Sequence, residues 1–289
     1  MKLRGRYAIV TGASHGLGAA IAERFVSEGA SVFICARGEE ALDQMKRKLS
    51  ATLLPGQQVV SRCADVADRS QIDAALRAVN DAFPRIDILV NNAGVYGPFG
   101  VIEEIDWEEW VSAININVLG TVYFCRAVMP AMKRQRYGKI INLSGGGATN
   151  PLPRISSYAA AKAAVVRFTE TLAVEVKEFG IDVNAIAPGT LATRLTDQLL
   201  AAGPERVGAD FFERIRKAQQ NGGAPLEKGA ALCVYLGSAE SDGITGKLLA
   251  ALWDPWPELQ QYRQDLEGTD IYTLRRIVPK DRGKDWGDA

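Results

Sequence analysis

The sequence predicts an α/β protein with a three-layer, doubly wound parallel sheet of about seven strands. Short apolar runs alternate with longer helical patterns along most of the chain. Several of these runs are apolar without alternation, as expected of parallel strands that helices cover on both faces. A glycine-rich loop, Thr11–Gly18, joins the first run directly to a helical pattern, which is typical of a nucleotide-binding βαβ unit.

The predicted strands and helices follow one another in strict order. The strands are Tyr7–Val10, Ser31–Ala36, Gln58–Ser61, Ile86–Val90, Ile140–Leu143, Asp182–Ile186 and, near the end, Lys247–Ala251. The helices are Leu17–Glu28, Glu39–Leu49, Ser70–Ala82, Trp107–Arg134 and Ser157–Glu178. Such alternation implies right-handed βαβ units and a single parallel sheet.

One insertion interrupts this rhythm within the predicted domain, residues 1–254. Residues 190–224 contain a Gly-Pro pair, a Gly-Gly pair and two helical pieces. Long excursions after a late strand of such a sheet often cover the ligand crevice. We therefore expect this segment to cover the substrate and to shape its pocket.

Residues 255–289 are predicted to form a C-terminal extension of this single domain. Pro257 is a suitable first residue for a short helix, which would place Leu259, Tyr262 and Leu266 on one face. The remainder is highly charged but keeps too many large apolar side chains for a purely solvated tail. We expect part of the extension to dock, at a subunit boundary or over the mouth of the pocket.

Composition and charge argue against several classes of protein. The 34 basic side chains balance 34 acidic ones, so no basic surface for nucleic acid or a membrane is expected. The four cysteines are far apart and the single histidine is His15, which predicts a reducing compartment and no metal site. No apolar run is long enough for a signal peptide or a spanning helix. A soluble, cytoplasmic protein without nucleic-acid or membrane partners is therefore expected.

The glycine loop carries the first group of candidate binding residues. Glycines let the backbone turn tightly and approach a pyrophosphate, and the following helix offers free N–H groups to the anion. A plain turn is the alternative, but the position between the first strand and the first helix favours a dinucleotide site. The candidates are Gly12, Ser14, His15, Gly16, Leu17 and Gly18.

The end of the second predicted strand bears on the choice of cofactor. In dinucleotide folds an acid near this point binds the ribose 2′-hydroxyl, whereas an arginine suits a 2′-phosphate. Position 36 is alanine, and Arg37 follows it. Because a guanidinium binds phosphate through two parallel hydrogen bonds, NADP(H) is predicted in preference to NAD(H), the alternative cofactor. An ordinary surface arginine is the competing interpretation of Arg37.

Tyr158 and Lys162 lie four residues apart, which places both on one face of a predicted helix. A tyrosine with its ordinary pKa of about 10 is a poor base at neutral pH. A nearby positive charge stabilises the phenolate and lowers that pKa. The pair can then exchange a hydroxyl proton while a hydride moves to or from a nicotinamide. A chance surface pair is the alternative, and the upstream glycine loop argues against it.

In order and spacing, four motifs of this chain resemble the short-chain dehydrogenase/reductase family over about residues 5–252. They are Thr11–Gly18, Asn91-Asn92-Ala93-Gly94, Tyr158 with Lys162, and Pro188-Gly189. The resemblance implies one Rossmann-like domain and an NADP(H)-dependent oxidoreductase. Its reaction would interconvert a secondary alcohol and a ketone, with Tyr158 as acid/base assisted by Lys162.

The resemblance also carries roles onto individual positions. Asp65 and Val66 would flank the adenine, and Asn117 would hold a water that leads to Lys162. A turn residue is the alternative for Asp65, and an indifferent helix residue is the alternative for Asn117. The other implied cofactor contacts, at the two riboses and the nicotinamide, are Asn92, Ala93, Gly94, Tyr158, Lys162, Pro188, Gly189 and Thr193.

Two features depart from the family's pattern. The family has a serine thirteen residues before the tyrosine, where this chain has Gly145, and the nearest hydroxyl belongs to Ser144. Adjacent strand residues point to opposite faces, but the following glycines permit a local twist, so Ser144 is the candidate substitute. A hydroxyl bonded to local backbone is the alternative. The other departure is Trp253-Asp254-Pro255-Trp256, in place of a small glycine-rich ending.

The catalytic candidates are therefore Asn117, Ser144, Tyr158 and Lys162. A cofactor-binding regulatory or scaffold protein is the first competing hypothesis, since Gly145 favours it and the other candidates oppose it. A dehalogenase-like lyase is the second, but it would lack the glycine loop and the lysine that this chain keeps.

The resemblance finally implies a homodimer or homotetramer in which the two long helices pair with their copies. The two long helices carry apolar residues beyond one core face, among them Val165, Phe168 and Leu172. These residues are the expected contacts of the interface.

Overall fold

The computed structural model describes residues 1–286 and contains a sheet of seven parallel strands. The strands are β1 (Tyr7–Thr11), β2 (Ser31–Ala36), β3 (Val59–Cys63), β4 (Ile88–Asn91), β5 (Gly138–Leu143), β6 (Ile181–Ala187) and β7 (Leu248–Ala250). Their order is β3-β2-β1-β4-β5-β6-β7, so the chain winds in two directions from β1. The predicted fold class is confirmed, and each predicted strand is present.

Helices cover both faces of the sheet. They are α1 (Gly16–Ser27), α2 (Glu39–Ser50), α3 (Arg69–Ala82), α4 (Trp107–Ile114), α5 (Gly120–Gln135), α6 (Ser156–Val176), α7 (Arg194–Val207), α8 (Ala209–Gln220), α9 (Leu226–Gly237) and α10 (Arg263–Leu266). The helix predicted at Trp107–Arg134 is instead α4 and α5, joined by a π-helical segment at Asn115–Leu119. Helix α9 was missing from the prediction because its second half is buried on every side and lacks a polar face.

Two apolar cores lie on opposite sides of the sheet. Adjacent residues of β1 enter different cores, since Val10 packs with α1, α2 and α9 while Ile9 packs with α3, α5 and α6. Burial on both faces explains why the strands are uniformly apolar in sequence. The sheet is thereby held rigid, and the residues that follow its carboxyl ends are held with it.

The span Trp107–Gln135 is long and apolar enough to cross a membrane by length and composition alone. In the fold, however, Phe124 and Val128 anchor α5 in the core beneath the sheet. A buried core helix passes the same test of length and composition, so this span is weak evidence for a membrane.

The expectation that residues of α6 contact a partner subunit is wrong for two of the three residues named. Val165 and Leu172 are buried within the protein itself, because both lie on the face of α6 that packs inward. The large apolar side chains that do face outward nearby are Leu119, 56% exposed, and Val174, 79% exposed.

The C-terminal extension begins with a 3₁₀ turn, Trp256–Tyr262, and continues into α10. Leu259 and Leu266 are buried in the same core as α1 and α9. Tyr262 is 45% exposed, so the prediction that it shares their face is wrong. The backbone of Tyr262 leaves helical geometry, with φ −103° and ψ 16°, and the chain changes direction there.

After α10 the chain returns along the outer edge of β7. The Leu248 amide donates to the Tyr272 carbonyl at 2.8 Å, and the Lys247 ammonium donates to the carbonyls of Thr269 and Ile271 at 3.0 and 2.9 Å. The extension therefore docks on the domain and covers an edge that would otherwise expose unpaired backbone groups. Residues 287–289, the last of the predicted extension, lie outside the described residues.

Candidate active site

A cavity of about 760 Å³ runs along the carboxyl ends of the strands. It crosses the point between β1 and β4 where the strand order reverses, the usual ligand crevice of a doubly wound sheet. Every position predicted to contact the cofactor lines this one cavity. Of the catalytic candidates, Ser144, Tyr158 and Lys162 line it as well, and Asn117 lies behind its wall.

The glycine loop is pressed against the end of β4. A Cβ atom added to Gly12, whose φ is +63°, would lie 2.8 Å from Ala93 Cα, and one added to Gly18 would overlap the Gly12 carbonyl. The Asn92 amide donates to that same carbonyl at 3.1 Å. These contacts require small residues in the loop. They also leave the N-terminus of α1, which no side chain caps, facing the cavity.

Such a site fits the dinucleotide that the sequence predicts. The free N–H groups at the start of α1 and the absence of acidic residues from its first turn suit a pyrophosphate. Arg37 is exposed at the rim, where Ala36 and Gly38 also line the cavity. Asp65 lines it nearby, while its carboxylate accepts the Ala67 amide at 2.9 Å, so it has the expected turn role in addition.

Tyr158 and Lys162 project from α6 into the far end of the cavity. Lys162 Nζ lies 5.5 Å from the centre of the Tyr158 ring and donates to the Leu143 carbonyl at 2.8 Å. Lys162 is only 5% exposed, and its burial lowers the pKa of its ammonium to about 8. The fold therefore holds the Tyr158 phenol, a proton donor, close to the Lys162 cation.

The pKa of Tyr158 moves in the direction opposite to the prediction. Burial raises the pKa of Tyr158, and Tyr96, whose ring centre is 4.8 Å away, raises it further. This direction opposes the expected lowering of the pKa, because burial removes water that would stabilise the phenolate. Tyr158 is a neutral phenol, a form that can donate a proton.

Asn117 lies in the middle of the π-helical segment, and both the oxygen and the nitrogen of its side chain form hydrogen bonds there. Its side chain accepts the Val95 amide at 3.1 Å and donates to the Val95 carbonyl at 2.8 Å. A Cβ on Gly94 would lie 2.7 Å from Asn117 Oδ1 and 3.5 Å from Lys162 Nζ. Asn117 thus fixes the segment after β4 against the lysine, which an indifferent helix residue would not do.

The end of β5 brings Ser144 and Gly145 to the same wall. Ser144 Oγ is buried and has no hydrogen-bond partner anywhere in residues 1–286. Gly145 is fully extended, and a Cβ added there would overlap the Tyr158 hydroxyl and lie 3.1 Å from Cζ of the same ring. Tyr158 therefore occupies the space that a side chain at position 145 would need.

The insertion forms the outer wall, and several of its cavity residues were missing from the prediction. Phe211, Arg214 and Ile215 line the cavity from one face of α8, as their i, i+3, i+4 spacing allows. The spacing was readable in the sequence, but not which face of α8 turns inward. Other lining residues that the prediction lacked follow strand ends, and they include Tyr96, Leu152 and Trp253.

The C-terminal extension does not cover the mouth of the cavity. None of its described residues, 255–286, lines the cavity, whereas Trp253, just before it, does. Of the two places where the extension was expected to dock, the mouth of the pocket is therefore wrong for this part of the chain, and the subunit boundary stays a prediction. The hydrogen bonds to β7 draw the extension to the sheet edge instead.

Known proteins resemble the chain over most of its length. Residues 6–202 match the family described as short chain dehydrogenase. A 3-oxoacyl-[acyl-carrier-protein] reductase of Thermotoga maritima is 34% identical over 249 residues, which cover 86% of this chain and 97% of that protein. An L-fucose dehydrogenase of Oryctolagus cuniculus is 35% identical over 238 residues, or 82% of this chain and 80% of that protein.

Solved structures give the same result. The crystal structure of levodione reductase superposes with a TM-score of 0.78 and 30% identity, over 86% of this chain and 96% of that one. The structure of NAD⁺-bound xylitol dehydrogenase superposes with a TM-score of 0.79 and 26% identity, over 86% and 98% of the two chains.

Proposed function

This chain belongs to the short-chain dehydrogenase/reductase family, and from that premise we propose that it interconverts a secondary alcohol and a ketone with NADP(H). Members of the family are NAD(P)-dependent oxidoreductases that act on small molecules, and this chain is an oxidoreductase of that type. One observation carries the finer proposal. The glycine loop, Arg37 and the Tyr158–Lys162 pair line a single cavity at the strand ends.

The proposed chemistry divides between cofactor and protein. The nicotinamide, when bound, gives or takes the hydride. In reduction, Tyr158 donates its proton to the carbonyl oxygen as the hydride reaches the carbon, and in oxidation the same oxygen takes the proton back. Lys162, 5.5 Å from the ring centre, stabilises the phenolate that forms. Asn117 acts through Val95 by holding the wall beside Lys162.

Ser144 is the proposed second donor to the substrate oxygen. Its buried hydroxyl has no partner among the described residues, and such an orphan costs about 1–3 kcal/mol unless a ligand satisfies it. The competing hypothesis of a hydroxyl bonded to local backbone has no hydrogen bond in its favour within residues 1–286.

NADP(H) is the proposed cofactor because Arg37 offers a guanidinium at the rim where a 2′-phosphate would lie. The relative xylitol dehydrogenase is NAD⁺-bound, which makes NAD(H) the alternative. Replacing Arg37 by Asp should cost about 1.5–3 kcal/mol in NADPH binding and favour NADH. Equal kcat/KM values for the two cofactors in the parent protein would rule out the preference.

The remaining cofactor roles are proposed on the same footing. The glycine loop would hold the pyrophosphate, Asp65 and Val66 the adenine, and the residues after β6 the nicotinamide. Their support is that all of them line one cavity: Gly12, Ser14, His15, Gly16, Leu17, Gly18, Asp65, Val66, Asn92, Ala93, Gly94, Pro188, Gly189 and Thr193.

We propose residues 1–254 as the catalytic domain, with residues 190–224 covering the substrate and residues 255–289 bracing the sheet edge. The family commonly forms oligomers, and a homodimer or homotetramer through the α4–α6 face is proposed here. Exposed Leu119 and Val174 favour that face. Cytoplasmic location is proposed as well, because the four cysteines are free thiols, as expected in a reducing compartment.

A regulatory or scaffold protein that binds cofactor without turnover is the second candidate, and Gly145 favours it. A screen of carbonyl compounds for NADPH and NADH oxidation separates the two functions. We expect turnover of at least one ketone, its loss in Tyr158→Phe, and unchanged cofactor affinity in that variant, because the ring stays and only the hydroxyl goes. Retained turnover in Tyr158→Phe would exclude the proposed mechanism.

A further inference from the structure

The charged side chains that line the cavity are distributed unevenly. Asp65, beside Ala64 and Val66 at the adenine end, is the one carboxylate among the lining residues that the structure describes. At the other end the cavity is lined by Lys162, Arg194 and Arg214, and no carboxylate among the described lining residues balances them. Arg194 is the first residue of α7 and follows Thr193, the proposed nicotinamide contact.

Arg214 lies on the substrate side. Its guanidinium is 4.9 Å from the centre of the Phe211 ring, one turn earlier on α8. Phe211 packs in the same apolar cluster as Tyr158 and Ile215. No described side chain or backbone group forms an ion pair or hydrogen bond with Arg214, whereas Arg216 binds Glu213 at 2.7 Å. Arg214 therefore keeps its donors free beside the aromatic wall of the site.

We infer that the substrate carries a carboxylate and that Arg214 binds it. This inference rests on the proposed function and specifies its substrate as a keto acid or the matching hydroxy acid. The carbonyl would lie at Tyr158, the carboxylate at Arg214, and the apolar segment between them against Tyr96, Leu152 and Phe211. A planar guanidinium with free donors matches a carboxylate in charge and geometry.

The same contact would assist a site that lacks the family's serine at position 145. A remote ionic anchor orients the substrate before reaction, and its binding energy brings the carbonyl to Tyr158 and to the proposed donor Ser144. The apolar walls around Arg214 suit one negative charge better than the two charges of a phosphate ester.

Matched neutral and charged probes test the inference. The probes are levulinate, benzoylpropionate and their methyl esters, offered with NADPH to the full-length protein, Arg214→Gln and Arg216→Gln. We expect the acids to have kcat/KM at least about tenfold above their esters in the parent protein. Arg214→Gln should remove that advantage with little effect on the esters. Arg216→Gln, on the same helix but outside the cavity, should keep it.

Isothermal titration of the NADP⁺-loaded proteins with the same probes gives a readout that does not require turnover. Acids that bind at least about tenfold tighter than esters, with the difference lost only in Arg214→Gln, support the inference even if no probe reacts. The absence of turnover would then count against the proposed function alone. Equal binding of acids and esters, no binding of either, or equal weakening of both in Arg214→Gln would overturn the inference.

Discussion

Lys162 should destabilise the fold at neutral pH, since its ammonium is buried with one carbonyl partner at 2.8 Å. Burial lowers the pKa of Lys162 from 10.5 to about 8. Each pKa unit corresponds to about 1.4 kcal/mol, so the cost in the free energy of unfolding is about 3 kcal/mol. The unfolded chain binds the proton more tightly. The cost is therefore complete below pH 8 and disappears as the pH rises through 10.5.

The variant Lys162→Met removes this titration. The difference in the free energy of unfolding, variant minus parent, should fall by about 3 kcal/mol from pH 7 to pH 10.5. It falls because the parent protein regains stability over that range. Loss of the hydrogen bond to the Leu143 carbonyl adds an offset of about 1 kcal/mol that is nearly independent of pH. Turnover should also be lost, because the proposed chemistry requires the charge of Lys162. The same charge that serves the chemistry thus lowers the stability of the fold.

Urea unfolding at fixed protein concentration, repeated across that pH range, measures the difference. Lys46→Met is the matched control, because Lys46 is exposed on α2 and its ammonium stays in water. A difference between Lys162→Met and the parent that does not change with pH would refute the reasoning. So would a difference that grows in favour of the variant as the pH rises.

Further predictions concern the β5 end and the extension. Ser144→Ala should lower kcat at least about tenfold if its hydroxyl acts in the transition state. Gly145→Ser should also lower kcat, because its Cβ would overlap the Tyr158 hydroxyl; a raised kcat there, with full activity in Ser144→Ala, would mean that Ser144 is structural. Leu259→Ala should cost about 2–5 kcal/mol of stability and lower Tm, whereas exposed Tyr262→Ala should change stability by less than about 0.5 kcal/mol. Equal Tm values for these two variants would contradict a docked extension.

The architecture of the sheet was predictable because its signals are local. A strand buried on both faces is a short apolar run wherever it occurs, and the glycine loop lies between one such run and a helix. The four-residue spacing of Tyr158 and Lys162 likewise depends only on helix geometry. The family resemblance followed from the order of these motifs, and residues 6–202 match that family.

The properties of the site depend on contacts between distant parts of the chain, so the sequence could not provide them. The pKa of Tyr158 is raised mainly by burial and further by Tyr96, which comes from the segment after β4 and packs against its ring. Asn117 interrupts a long helix because its side chain binds Val95, and helical periodicity carries no record of that pairing.

The same reason explains why the sequence predicted the strand ends of the cavity but missed the residues of its outer wall. Phe211 and Arg214 had a readable spacing, but packing of α8 beside the Tyr158 cluster decided that they face the cavity. The extension was recognisable by its apolar residues, yet the Thr269 and Ile271 carbonyls in its middle, which bind the Lys247 ammonium, decided that it lies along β7. Local sequence thus determined the elements and their order. Desolvation and long-range hydrogen bonds, which exist only once the chain is folded, decided which side chains share a site and how they are charged.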